Sequence, residues 1–61
     1  MSDNHYSVLI NSVKFSSSVT QDIAIDFCHH KAKQYRHAGK RVTCQVIDNE
    51  TDRVVFIEIV T

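Results

Sequence analysis

Residues 20–38, TQDIAIDFCHHKAKQYRHA, decide the fold, because they form the only stretch in which apolar residues recur at helical spacing. At about 100° per residue, one broad side of a helix over this stretch carries the apolar side chains. These are Ile23, Ala24, Ile25, Phe27, Cys28, Ala32, Tyr35 and Ala38. The opposite side carries charged residues and histidines. The spacing predicts one amphipathic helix that covers a small sheet.

Both ends of this predicted helix carry capping residues. Ser18 with Gln21 fits a capping box and Thr20 is an equally good N-cap, so the sequence leaves the first residue of the helix open. Gly39, the only glycine of the chain, follows the last apolar position. A glycine there supplies the left-handed residue that commonly ends a helix. We therefore predict a helix over residues 20–38.

The segments on either side of the helix alternate apolar and polar residues with the period of a strand. Residues 6–11 form the first predicted strand, and residues 41–47 and 53–60 form a hairpin around the turn DNETD. The serine-rich residues 12–19 are compatible with a short strand at residues 13–16, but we expect a loop there. The predicted fold is α+β, with one helix on a three-stranded antiparallel sheet in the order β-α-β-β.

The length and composition of the chain set further expectations. Its 61 residues are near the lower limit for a fold with one hydrophobic core, so we expect a single domain with residues 1–5 as a frayed tail. Seven Lys and Arg balance seven Asp and Glu, which leaves no net charge to attract nucleic acid or a membrane. No apolar run is long enough to span a bilayer, and the start MSDNH lacks a signal-peptide pattern. We expect a cytoplasmic protein.

The last predicted strand, RVVFIEIV, is apolar on both faces, whereas one helix covers only one face of a sheet. The set expected under the helix is Val42, Cys44, Val46, Val55, Ile57 and Ile59. The far face then exposes an apolar patch, which is a candidate protein interface. The patch consists of Leu9, Ile47, Val54, Phe56 and Val60.

Several occupants of this patch are compatible with the sequence. The tail or the serine segment would cover it from within the chain. A homodimer would bury it, either by stacking two sheets back to back or by pairing edge strands. A foreign protein would serve equally well, so the partner is left open between a second copy and another protein.

The polar side of the predicted helix is rich in basic residues and histidines. The candidate anion-binding face consists of His29, Lys33, Arg36, His37, Lys40 and Arg41. As a functional site, this face would bind phosphates or an acidic protein surface. As an ordinary surface, it is the hydrated side of a helix. Nucleic acid is the second candidate partner, because no aromatic side chain for base stacking lies among these residues.

Neither a catalytic centre nor a metal site is expected from the sequence. Cys28 lies on the apolar side of the predicted helix and His29, His30 and His37 lie on the other side, so these side chains do not converge on one ion. We expect Cys28 and Cys44 to approach each other in the core as reduced thiols. No nucleophile elbow, phosphate loop or HExxH motif occurs. We predict a non-enzymatic protein without a cofactor.

Residues 34–46, QYRHAGKRVTCQV, resemble the helix-to-strand junction of the small RNA-polymerase-inhibiting proteins of lytic coliphages, which have QY, AG and VT at similar offsets. The layout of strand, helix and hairpin is also similar to that of phage antitoxins that neutralise a host RNase toxin. The resemblance implies a β-α-β-β protein that binds a host enzyme and inhibits it. The helix here carries basic residues and histidines where the inhibitor family has an acidic helix, so we transfer no functional residue.

These patterns together favour a small regulatory or inhibitory protein that acts by binding another protein. The resemblance adds that such a protein would be phage-encoded and directed against a host enzyme. The alternative is a small nucleic-acid-binding module that uses the basic side of the helix.

Overall fold

The computed structural model describes residues 5–18 and 20–61, in which it places one helix and four strands. In chain order these are β1 (Tyr6–Ile10), β2 (Val13–Ser18), α1 (Gln21–His37), β3 (Val42–Asp48) and β4 (Arg53–Val60). The strands form one antiparallel sheet in the order β2-β1-β3-β4. The predicted α+β class is confirmed. The prediction of three strands in the order β-α-β-β was wrong, because the chain runs β-β-α-β-β.

The missed strand is β2, for which we expected a loop. Asn11 and Ser12 have φ angles of 52° and 68°, and both central residues of a type I′ turn require such positive values. This two-residue turn folds β2 back along β1 as a hairpin. The Asn11 side chain also accepts a hydrogen bond from the N–H of Thr43 at 3.0 Å, which ties the turn to β3.

Helix α1 is capped at both ends by the local sequence. The hydroxyl oxygen of Thr20 accepts a hydrogen bond from the N–H of Ile23 at 3.4 Å, which makes Thr20 the N-cap. Gly39 has a φ of 72°, and the N–H of Lys40 donates to the carbonyl of Tyr35 at 2.9 Å, as in a Schellman motif. The predicted glycine stop is confirmed. Within the described residues, no helix is long and apolar enough to cross a membrane.

The hydrophobic core lies between α1 and the sheet. The helix contributes Ala24, Cys28 and Ala32, which are fully buried and four residues apart. The sheet contributes Val8, Ile10, Val42, Cys44, Val46 and Val60. Because the helix residues at this contact are small, the helix backbone lies close to the sheet, and its larger side chains lie on its flanks.

From Phe56 onward, strand β4 presents to the helix the opposite set of residues from the one predicted, whereas Val55 packs against the core as expected. Its residues Phe56, Glu58 and Val60 pair across β3 with Val46, Cys44 and Val42. Directly paired residues share a face of the sheet, so this set lies under the helix. Val60 is buried and Phe56 packs against the core, so their predicted place on the far face was wrong. Ile57 and Ile59 lie on the far face instead.

The contacts of Glu58 explain this orientation of β4. Its Oε1 lies 2.9 Å from Nδ1 of His29, and its Oε2 lies 3.7 Å from Nη2 of Arg36, both on the helix. These partners stabilise a carboxylate beside the core. A bulge at Val55 also shifts the register of β4 against β3, so strict alternation along the strand does not hold.

The predicted frayed tail lies outside the described residues except for His5. The carbonyl of His5 accepts a hydrogen bond from the N–H of Asn49 at 2.8 Å. Nδ1 of the His5 side chain lies 3.2 Å from Oε1 of Glu50. These contacts continue the pairing of β1 with β3 by one residue and tie His5 to the turn between β3 and β4.

Candidate protein-binding surface

We call the side of the sheet that α1 does not cover the open face. Its positions alternate with the core residues along β1, β3 and β4. They are Ser7, Leu9, Thr43, Gln45, Ile47, Val54, Ile57 and Ile59. None of these eight positions carries an ionisable side chain. Lys14 of the edge strand β2 pairs with Leu9 and is a charged residue at the border of the face.

The exposed apolar side chains of the open face are concentrated on β4. Val54, Ile57 and Ile59 are 48%, 49% and 59% exposed. Gln45 lies at the centre of the face, paired with Leu9 on one side and with Ile57 on the other. A cluster of large aliphatic side chains at such exposure, bordered by polar residues, is typical of a contact surface.

The structure brings three of the five predicted interface residues together on the open face, namely Leu9, Ile47 and Val54. Phe56 and Val60 belong to the helix side. Ile57 and Ile59 are prominent on the open face and were assigned to the wrong side. The signal that could have revealed their orientation is the charge of Glu58. A carboxylate in β4 favours the face of the sheet that lies beside the basic residues of the helix.

Both edges of the sheet carry a bulge. The edge strands are β2 and β4, and each contains one residue without a direct partner in the neighbouring strand, Phe15 in β2 and Val55 in β4. A bulge bends a strand and interrupts the ladder of backbone hydrogen bonds. Sheets use such bulges to prevent another strand from pairing with their edges.

A second apolar surface lies on the flank of α1 beside β2. The ring centroids of Phe15 and Phe27 are 6.4 Å apart, and Nζ of Lys31 lies 5.1 Å and 5.8 Å from them. A shallow groove of about 310 Å³ runs along this flank, lined by Ile23, Asp26, Phe27, His30, Lys31 and Gln34. Ile23 is 61% exposed, so its predicted place on the buried side of the helix was wrong.

The candidate anion-binding face lies on the outer side of α1 and just beyond its end. All six of its residues are exposed. Two of them, His29 and Arg36, contact the carboxylate of Glu58. This carboxylate offsets part of the positive charge of the face, which weakens its attraction for phosphate.

Two neutral thiols lie in the core. Cys28 and Cys44 are fully buried and interact with each other, so the predicted approach of the two thiols is confirmed. Burial, followed by the neighbouring Cys44 and by Glu58, raises the pKa of Cys28 to about 12. A thiol that stays protonated is a poor nucleophile. Among the described residues, no three Cys, His, Asp or Glu side chains are grouped so that they could hold a metal ion.

Comparisons of the chain with protein-family models, with curated proteins and with solved structures return no match. The likeness of residues 34–46 to the phage inhibitors stays a prediction. The open face is therefore interpreted from its own geometry and chemistry.

Proposed function

We propose that this chain is a small non-enzymatic protein that regulates or inhibits a protein partner by binding it through the open face. The observation that carries the proposal is the cluster of half-exposed Val54, Ile57 and Ile59 on a face of the sheet that no described helix or strand covers. Removing apolar surface from water contributes about 25 cal/mol per Å². A partner that covers these side chains therefore gains affinity that the single chain cannot realise.

The other chemical groups of the chain also suit a binding role better than a catalytic one. The Cys28 and Cys44 thiols are shielded from solvent, and the groove on the helix flank is shallow. The hydroxyl of the buried Ser7 donates to Oδ1 of Asn49 at 2.9 Å, which is a structural use of that serine. We propose a cytoplasmic site of action, where both thiols stay reduced.

The class of partner follows from the resemblance to phage inhibitors, which implies an enzyme of a bacterial host. Nucleic acid is the less favoured partner, because Glu58 lies against His29 and Arg36 and lowers the positive charge of the helix surface. A nucleic-acid complex would also require an affinity that falls steeply with salt concentration.

Two matched substitutions test the proposal. Ile59 and Ile23 are the same residue type and are 59% and 61% exposed, but Ile59 lies on the open face and Ile23 on the helix flank. Wild type, Ile59→Asp and Ile23→Asp are immobilised and exposed to a bacterial lysate, and the bound proteins are quantified by mass spectrometry. We expect a partner that wild type and Ile23→Asp retain and that Ile59→Asp loses by at least about tenfold.

Capture of the same partner by all three proteins, or its loss only with Ile23→Asp, would contradict a binding role of the open face. Circular dichroism of each variant checks that the substitution leaves the helix formed. Because both isoleucines are more than half exposed, we expect both variants to fold.

A further inference from the structure

We propose that the open face is covered by a second copy of this chain, in a dimer whose two sheets stack back to back with the helices on the outside. This inference rests on the proposed function, because it names an occupant of the same surface. It is carried by the bulged edges of the sheet and by the chemistry of the open face.

The bulged edges separate two ways in which copies of this chain could associate. Pairing of edge strands would require a regular ladder of backbone groups along β2 or β4. Phe15 and Val55 interrupt the register of these strands, so neither edge offers such a ladder over its full length. Stacking of the open faces does not use the edges, so the bulges leave it unaffected.

The chemistry of the open face is self-complementary. A two-fold contact places the same surface on both sides, so a charged residue near its centre would meet its own copy. The eight positions of the open face carry no ionisable group, and Lys14 lies at the border on β2. The central Gln45 has an amide with both a donor and an acceptor, so two copies can bond each other across the axis. The chain has a formal net charge of zero, so two copies do not repel each other at long range.

The size of the open face limits how strong a contact between two copies can be. The three strands of the open face, spaced about 4.8 Å apart and with about six residues each at about 3.3 Å, give a face of about 300 Å². Stable interfaces bury about 800 Å² per partner, so the stacked dimer should be weak and should dissociate as the protein is diluted. Because the second copy has a face of equal size, the stacking covers the aliphatic residues of both chains in one contact.

The dimer is tested first by sedimentation equilibrium over a range of protein concentrations. We expect a reversible monomer–dimer equilibrium for wild type. Ile59→Asp should weaken the dimer at least about tenfold, because it places a carboxylate within an apolar contact. Ile23→Asp is the matched control and should leave the dissociation constant unchanged. Ile57→Ser is a milder second variant and should weaken the dimer in the same direction.

A cross-linking experiment then distinguishes stacking from edge pairing. Stacked sheets lie about 10 Å apart, so Gln45 lies close to its own copy across the axis, and Gln45→Cys should be joined by a short bismaleimide. In an edge-paired dimer through β4, the two β3 strands lie about 14 Å apart and their side chains do not face each other. Wild type is the control, because Cys28 and Cys44 are fully buried and should not react.

A wild type that stays monomeric at every concentration would overturn this inference. So would a dimer that only Ile23→Asp weakens, or a Gln45→Cys dimer that the reagent does not join. A monomer whose captured partner is lost in Ile59→Asp would leave the proposed function standing without this inference. A confirmed dimer without any protein captured from the lysate would leave this inference standing and would contradict the proposed function.

Discussion

At the scale of single residues, Glu58 sets the orientation of β4. Both faces of this strand are otherwise apolar, so hydrophobicity alone does not choose the face that packs under the helix. The contacts of Glu58 with His29 and Arg36 favour the arrangement with Glu58 on the helix side. As a consequence, Ile57 and Ile59 lie on the open face, where they are available to a partner.

Truncation of two neighbouring residues tests this orientation. Val60→Ala removes methyl groups from the core and should lower the free energy of unfolding by about 2 kcal/mol. Ile59→Ala removes more atoms, but from an exposed position, and should cost less than about 1 kcal/mol. Urea denaturation at low protein concentration measures both values. The reverse order of the two effects would mean that β4 is oriented in the other way.

The turn between β1 and β2 offers a second test at this scale. Ser12 has a φ of 68°, a conformation that glycine adopts without strain. Ser12→Gly should therefore raise the free energy of unfolding by about 0.5–1 kcal/mol, since Asn-Gly is the preferred pair for a type I′ turn. Ser16→Gly, in the extended β2, is the control and should lower it by a similar amount. A loss of stability in Ser12→Gly would argue against this turn.

The core thiols should make stability fall at alkaline pH. Burial raises the folded-state pKa of Cys28 from 9.0 to about 12 and raises that of Cys44 as well, whereas the unfolded thiols ionise near 9.0. Above this pH the unfolded chain releases protons that the folded chain keeps. The free energy of unfolding therefore falls by up to about 1.4 kcal/mol per pH unit for each thiol. Below this pH the thiols add no pH dependence.

Urea denaturation under reducing conditions, from neutral pH to about pH 11, measures this slope. Cys28→Ala retains only the Cys44 thiol, so its stability should fall less steeply with pH than that of wild type. The comparison uses slopes, because the cavity left by the truncation lowers stability at every pH. Identical slopes in wild type and Cys28→Ala would exclude a raised pKa for Cys28.

At the scale of elements, the close contact of α1 with the sheet depends on small residues. Ala24, Cys28 and Ala32 form the buried stripe of the helix. Ala32→Leu would force extra methyl groups into the core between α1 and the sheet and should destabilise the fold by about 1–3 kcal/mol. Ala38→Leu lies at the exposed end of the helix and should change stability by less than about 0.5 kcal/mol. Equal effects in thermal or urea unfolding would contradict the close helix–sheet contact.

The elements with a strong period were predictable from the sequence, and those specified by local geometry were not. The helix and the β3–β4 hairpin follow from clear apolar spacing between turn residues. Strand β2 was missed because Asn11 and Ser12 lack the glycine that usually marks a type I′ turn, and because serines fill the rest of the strand. The far face was predicted to be apolar, and Leu9, Ile47 and Val54 lie there.

Ile57 and Ile59 were assigned to the wrong side for two physical reasons. Apolar residues occupy both faces of β4, so a pattern of alternation carries no information about orientation there. The bulge at Val55 also changes which residues share a face, and a bulge has no reliable signature in a single sequence. The charge of Glu58 was the informative feature, and it required the basic side of the helix to be considered together with the strand.

At the scale of the whole molecule, one helix covers one face of a four-stranded sheet, and no other element of the described residues packs on the second face. A core of this size stabilises a fold only marginally, so covering the open face should add stability to the folded state. The two helical surfaces, the basic outer side and the flank beside β2, stay accessible when the sheet is covered. The central claim is that the open face, marked by Ile57 and Ile59, is the surface used for binding.

Relaxation of isoleucine methyl groups by a nitroxide cosolute tests this claim most directly. In dilute protein, we predict strong relaxation of Ile23, Ile57 and Ile59 and little relaxation of the buried Ile10. In concentrated protein or with a captured partner, Ile57 and Ile59 should become protected while Ile23 stays accessible. Protection of Ile57 and Ile59 already in the dilute monomer would contradict the claim. The claim would also be contradicted if the methyl groups of Ile57 and Ile59 stayed as accessible as those of Ile23 in concentrated protein and with a captured partner.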